Sequence, residues 1–307
     1  MSTLPRRPSY NKVNKSIRKP SFSLPTLYDS NHKFPIHEKP EPVKISNELQ
    51  QLKNKVLNNE RISKDEYLQS NHFKFKEGSE LKSKELLEKS TNYIKELHPL
   101  VAIDCESYEF DHSKITEIGI AILQSTTTTI IPQIITYHII IEENIHKRSH
   151  KYVPDHKDKY MNGTSLIMNE KLAIAFVNKI IQKYLFKLNG IMVGHSINSE
   201  FKYFKHLGIS LPHNLKIIDT LQLHQIGRSN GGSLWGCLRL LNIPYSYLHN
   251  AGNDAYYTLL VALSYCDPQI RILKNLDIYS DSPFFGKKSS KEVTNFVKVD
   301  DINTIDI

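Results

Sequence analysis

A chain of 307 residues with 39% hydrophobic and 23% charged residues can bury one large core or two modest ones. Its net charge of +8 directs attention to polyanionic partners. Cys105, Cys237 and Cys266 form no C-x-x-C pair, which excludes a disulfide framework and a cysteine zinc site; no run of about 18 apolar residues offers a membrane-spanning helix.

Residues 1–44 hold half of the chain's prolines, are rich in Lys, Arg and Ser, and are expected to be a disordered basic tail. With no apolar signal core, the chain is expected to be intracellular, in cytoplasm, nucleus or both. The basic start also resembles a mitochondrial transit peptide, but Pro5, Pro8, Pro20 and Pro25 would break an amphipathic helix there. Residues 45–97 turn to Leu, Lys, Glu and Gln. Ile45, Leu49, Leu52 and Val56 fall at helical spacing, as do Leu81, Leu86, Leu87, Tyr93, Ile94 and Leu97, and two helices of an extension are expected.

Residues 98–268 are denser. VAIDCESYEF, Val101 to Phe110, alternates as a strand with Asp104 and Glu106 on one side; a polar turn at DHSK leads to ITEIGIAIL, and QIITYHIIIEEN gives a third strand. Short connections imply an antiparallel meander. The polar loop of residues 143–163 interleaves Lys147, Arg148, Lys151, Lys157 and Lys159 with Tyr152 and Tyr160, a mixture suited to phosphate contacts and base stacking. A helix capped by Thr164 or Ser165 is expected next. GIMVGHS then gives a strand, SEFKYFKHLGI a helix and LKIIDTLQL a strand, followed by SLWGCLRLLNI and a last helix from HNAGND onward. The expected class is α/β, a mixed five-stranded sheet of meander plus α/β units flanked by helices. Residues 269–307 lose periodicity and read as a C-terminal tail.

Two carboxylates side by side on an apolar strand repel each other and are costly to keep ionised without a cation. Glu200 opens the helix after GIMVGHS, and His249 and Asp254 flank the start of the last helix, where an α/β fold gathers a site. The ordered set AIDCE, VGHSINSE and HNAGND resembles the DEDDh exonucleases of the ribonuclease H-like superfamily. IDCESYEFDHSKITEIGI, KYVPDHKDKYMNG, IIDT, SLWGCLRLLNIP and LHNAGNDAYYTL resemble, more narrowly, the fungal branch named for restoring full activity of a DEAD-box mRNA-export helicase.

The resemblance implies a 3′–5′ exonuclease acting on RNA, or on single-stranded DNA, by two-metal phosphodiester hydrolysis. Asp104, Glu106, Glu200 and Asp254 would hold two Mg²⁺ or Mn²⁺ ions about 4 Å apart, and His249 would take the proton from the attacking water. The family's acid after G-H is usually Asp, and the match here is Glu200. Asp219, Asn198 and Asn253 are secondary candidates for supporting the site. A binding function remains open: an exonuclease fold without turnover that grips RNA or an mRNA-export or RNA-processing partner. So does an adaptor role for residues 45–97.

Overall fold

The computed structural model of the chain describes residues 45–124 and 133–281. The expected disordered tail of residues 1–44 lies outside them, as do residues 282–307. Helices α1 (Asn47–Leu57), α2 (Lys64–Gln69) and α3 (Glu80–Lys95) precede strands β1 (Leu100–Tyr108), β2 (Asp111–Leu123) and β3 (Ile134–Ile141). After a loop come β4 (Leu166–Met168), α4 (Glu170–Ile181), β5 (Ile191–Gly194), α5 (Asn198–His206), β6 (Lys216–Asp219) and α6 (Thr220–Gly227). Helices α7 (Leu234–Leu241), α8 (Ala251–Tyr265) and α9 (Pro268–Leu273) complete the described chain.

The sheet has six strands in the order β4-β3-β2-β1-β5-β6, one more than the expected five. β1, β2 and β3 form the antiparallel meander, while β4, β5 and β6 join in parallel. The added strand is β4. Its LIM reads equally well as the first turn of a helix, but these residues pair with Ile139–Ile141 at the sheet edge. The helix starts later, where Asn169 accepts the Leu172 N–H at 2.9 Å. The strand read into LKIIDTLQL likewise stops at Asp219, which caps α6 by accepting the Leu221 N–H. The turn between β1 and β2 falls at Glu109–Phe110, and DHSK is already exposed strand.

Alternation on β1 divides the interior in two. Leu100 and Ala102 belong to a core shared with α1, α7 and α8, while Val101, Ile103 and Cys105 face a second core built from α4 and α5. The helical extension is not separate from this architecture, since Leu49, Leu52, Tyr67 and Leu87 are buried in the first core.

The expected tail from residue 269 is corrected for its first part. Residues 268–281 carry α9 and the fully buried Arg271 and Asp277, and Lys74 and Arg228 pair as bridges with Ile278 and Ser280. A charge in QIRIL is a poor sequence sign of burial, because Arg271 bonds Tyr67 and its partner Asp277 bonds His72, both some two hundred positions earlier.

Candidate active site

β1 outruns its parallel neighbour. The β1–β5 pairing ends at Ala102 opposite Val193, so Asp104 and Glu106 stand beyond the carboxyl end of β5, where α/β sheets open a crevice. Gly194 then leads into a turn in which Ser196 has φ of 61°. Asp219 fixes that turn by accepting the N–H groups of Ser196 at 3.0 Å and Ile197 at 3.3 Å. The turn launches α5 and buries Glu200 in its first turn. Asp219 thus positions the helix that carries Glu200, whereas Asn198 stands exposed at the start of α5.

Helix α8 closes the other side. Asn250 caps it by accepting the Asn253 N–H at 3.1 Å. The buried Asn253 side chain accepts the Met161 N–H and donates to the Lys159 and Tyr247 carbonyls, tying the polar loop to the helix start. His249 lies in the left-handed region at φ of 66°, and its N–H donates to Asp254 Oδ2 at 2.9 Å. A non-glycine residue held there costs on the order of 1–3 kcal/mol, so the surrounding contacts over-determine this backbone.

Two residues that the sequence reading passed over complete the arrangement. Glu117, on β2 directly opposite Glu106, is buried; its Oε2 meets His138 Nε2 at 2.9 Å and accepts the Ala251 N–H at 3.3 Å. A lone acid inside the isoleucine-rich ITEIGIAIL was the available signal. Gly119, opposite Asp104, is the second. A Cβ there would fall 1.8 Å from the Ala251 carbonyl oxygen, far inside the roughly 3.3 Å at which carbon and oxygen touch. Only glycine lets the start of α8 lie on β2.

Gly119→Ala therefore forces the helix start back by more than about 1 Å. We expect a stability loss of about 3 kcal/mol in urea titration. An unchanged urea midpoint would contradict this close approach.

Immediately after Glu106 the β1–β2 register slips, leaving Thr116 without an opposite residue. Bulges of this kind re-aim side chains beside active sites. The Thr116 hydroxyl donates to the Glu106 carbonyl at 3.2 Å, and Asn144 Nδ2 donates to the Ile115 carbonyl at 2.7 Å, so the displaced backbone stays satisfied.

Glu106, His249 and Asp254 place ligand atoms within 4.8 Å of one another, with His249 Nδ1 3.9 Å from Glu106 Oε1. Asp104 and Glu200 are outside that tight trio but within its field. Burial first, and the Glu117 charge second, push Asp104 up to about 7. Burial and then Asp104 push Glu200 up to about 8. Glu106 and Asp254 are also raised well above the usual carboxylate range, by burial and then by the Asp104 charge.

Glu200 Oε2 and Asp254 Oδ1 are buried without a hydrogen-bond partner. Orphaned carboxylate oxygens converging on one cleft are expensive unless a cation answers them. An all-carboxylate donor set fits a hard divalent cation.

Similarity to known proteins agrees with this arrangement. The chain is 32% identical over 206 residues to "Good for full DBP5 activity protein 2" of Saccharomyces cerevisiae, covering 57% of this chain and 36% of that protein. It is 38% identical over 167 residues to the nucleolar protein C2C4.08 of Schizosaccharomyces pombe, covering 52% of this chain and 65% of that one. The chain thus spans less than two thirds of either relative. Zinc-bound E. coli exonuclease I with single-stranded DNA is 14% identical over 58% of this chain and 42% of its own, with a TM-score of 0.36, too distant to bear on chemistry. Residues 99–265, from the approach to β1 through the end of α8, match the model of the DEDDh family described as DNA polymerase III subunit epsilon-like, C-terminal domain, and the chain belongs to that family.

Proposed function

We propose that this protein is a metal-dependent 3′–5′ exonuclease that shortens RNA, or single-stranded DNA, from its end. The observation that carries the reading is the convergence of Asp104, Glu106, Glu200 and Asp254 beside His249, with two buried carboxylate oxygens lacking partners.

The four acids would hold Mg²⁺ or Mn²⁺, two ions by analogy with the family; when bound, such ions neutralise the phosphodiester and acidify water. His249, 42% exposed and beside Glu106, is the group able to accept the proton of the attacking water. Asp254 orients it through the His249 N–H. Asp219 holds the α5 turn, and Glu117 with Gly119 seats the α8 start on β2. Glu200 reaches one methylene further than the family's aspartate, and the turn fixed by Asp219 sets where that longer arm begins. RNA is favoured over DNA because the motifs resemble the fungal branch named for an mRNA-export helicase, the branch to which the yeast relative's name points.

That name also supports a second reading, in which the fold binds RNA or a protein partner without turnover. Full-length protein given 3′-labelled and 5′-labelled single strands with Mg²⁺ or Mn²⁺ separates the two. Stepwise loss from the 3′ end is expected, with His249→Ala slowing it by about 10²–10⁴-fold. If neither strand type shortens under either metal, the enzyme reading fails and the binding reading takes its place.

A further inference from the structure

Composition groups Lys157 with the phosphate contacts of the polar loop, yet the residue is buried, at 1% exposure. A side chain so enclosed is no phosphate contact. Buried ammonium groups need both hydrogen-bond acceptors and opposite charge. Lys157 Nζ donates to the Lys147 carbonyl at 2.7 Å and to the Ile145 carbonyl at 3.5 Å. These carbonyls answer its hydrogens but leave its full charge to be balanced.

The backbone around Lys157 is fixed to the start of α8. Asn250, which caps that helix, donates from Nδ2 to the Lys157 carbonyl at 3.2 Å, and Asp155 Oδ1 accepts the Lys157 N–H at 3.1 Å. The two nearby loop acids are engaged by Arg148, whose Nη1 lies 2.9 Å from Asp155 and whose Nη2 lies 2.8 Å from Asp158. Burial pushes the Lys157 ammonium down, and Glu117 leads the charges that hold it up, ahead of Asp155.

Glu117 and Lys157 line one cavity together with Glu106, Lys147 and His249. The charge of Glu117 also reaches Asp104, Glu106 and Asp254, in each case pushing the carboxyl up. Glu117 is needed where it stands, since its Oε2 accepts the Ala251 N–H and meets His138. A fifth carboxylate there would nevertheless deepen the repulsion among the four unless a positive charge offsets it.

We propose that Lys157 is the internal counter-ion of the cation site, a positioning residue that balances Glu117 and keeps its charge from adding to those of Asp104, Glu106, Glu200 and Asp254. This rests on the reading of those four acids as a divalent-cation site. Glu117 can then seat α8 on β2 while the four acids alone set how tightly a cation is held.

The test titrates full-length protein with Mn²⁺ by calorimetry and melts it without metal. Lys157→Met should tighten Mn²⁺ binding about 5-fold or more, because a unit charge within roughly 10 Å acts on a cation strongly at intermediate dielectric. It should also lower the metal-free melting temperature, because Glu117 loses its counter-charge. Glu117→Gln should weaken Mn²⁺ binding by about the same factor; its amide oxygen can keep both contacts of Oε2. The double variant should bind Mn²⁺ within about 2-fold of wild type and melt higher than Lys157→Met alone.

A lysine that only ties the loop together would lower the melting temperature without tightening Mn²⁺ binding, and Glu117→Gln would not restore the loss. Wild-type or weaker Mn²⁺ affinity in Lys157→Met would therefore overturn the role and leave the nuclease reading intact. So would a double variant that melts no higher than the single. If Lys157→Met fails to fold, a folded double variant of near wild-type affinity still supports the balance, whereas failure of both shows that packing, not charge, is what Lys157 supplies. Absence of Mn²⁺ binding by the wild type removes the cation site and this role together. Mn²⁺ binding without strand shortening removes turnover and keeps the counter-ion.

Discussion

Asp104→Asn is expected to abolish nuclease activity, by about 10³-fold or more, and at the same time to raise the melting temperature of the metal-free protein. The second half follows from electrostatics. Asp104 is raised from 3.8 to about 7 by burial and then by Glu117. An acid whose folded value exceeds its unfolded value prefers to fold protonated. It therefore leaves stability untouched below about pH 4, erodes it as pH rises, and exerts its full adverse effect above about pH 7. At about 1.4 kcal/mol per unit, the isolated shift corresponds to about 4 kcal/mol. Neighbouring carboxylates share that repulsion and protonate in turn, so the single replacement should recover about half, or about 4–8 °C in a domain of this size.

The stabilisation should be present at pH 8 and vanish near pH 4. Mg²⁺ should raise the wild-type melting temperature more at pH 8 than at pH 5, because binding requires deprotonated ligands, and much less in Asp104→Asn. Scanning fluorimetry across pH, with and without Mg²⁺, reads all of this. A variant that melts at or below wild type at pH 8 without metal would mean that the acids are not in mutual repulsion. Retained activity would mean that Asp104 is not in the site.

The strand acids and the last-helix pair were legible because each sits within a few residues of a strong local pattern. D-x-E interrupts an apolar alternation, and H-x4-D straddles a helix start with its own cap. Glu200 was legible only through the family resemblance, since an acid in a first helical turn is ordinarily there for the helix dipole. Glu117 and Gly119 were not legible, because their roles depend on register. A strand shows alternation but not which residue of a distant strand stands opposite. The six-residue separation of Arg271 and Asp277 likewise gives no hint that both are buried. Short elements failed for a related reason: β4 has three residues, too few to express a period, and only the neighbouring β3 decides its form.

The second large effect belongs to that buried pair. Asp277→Ala is expected to cost about 3–5 kcal/mol, measurable as a lower urea midpoint, because it strands a charge in the interior. Arg271 Nη2 lies 2.8 Å from Asp277 Oδ1, and its Nε donates to the same oxygen at 2.9 Å. Tyr67 donates to both Asp277 oxygens at 2.9 Å, and His72 Nε2 meets Oδ2 at 3.0 Å. Burial alone would raise the Asp277 carboxyl, but Arg271, His72 and Tyr67 outweigh it and hold the group below its usual value. Its stabilising contribution is thus present at neutral pH and is lost as the solution is acidified through that lowered value.

Replacing both charges at once, Arg271→Met with Asp277→Leu, removes the stranded ion and should restore most of the loss. An Asp277→Ala protein as stable as wild type, or a double variant no better than the single, would show that the pair is not the clamp. The clamp reaches the active site through α8: Arg271 Nη1 donates to the Tyr265 carbonyl at 2.9 Å, at the far end of the helix whose first turn carries Asp254. Residues from α2 and from the segment after α9 therefore set the anchorage of the helix that carries Asp254. Removing residues 45–97 or ending the chain before residue 268 should for that reason disable the site without touching any residue in it.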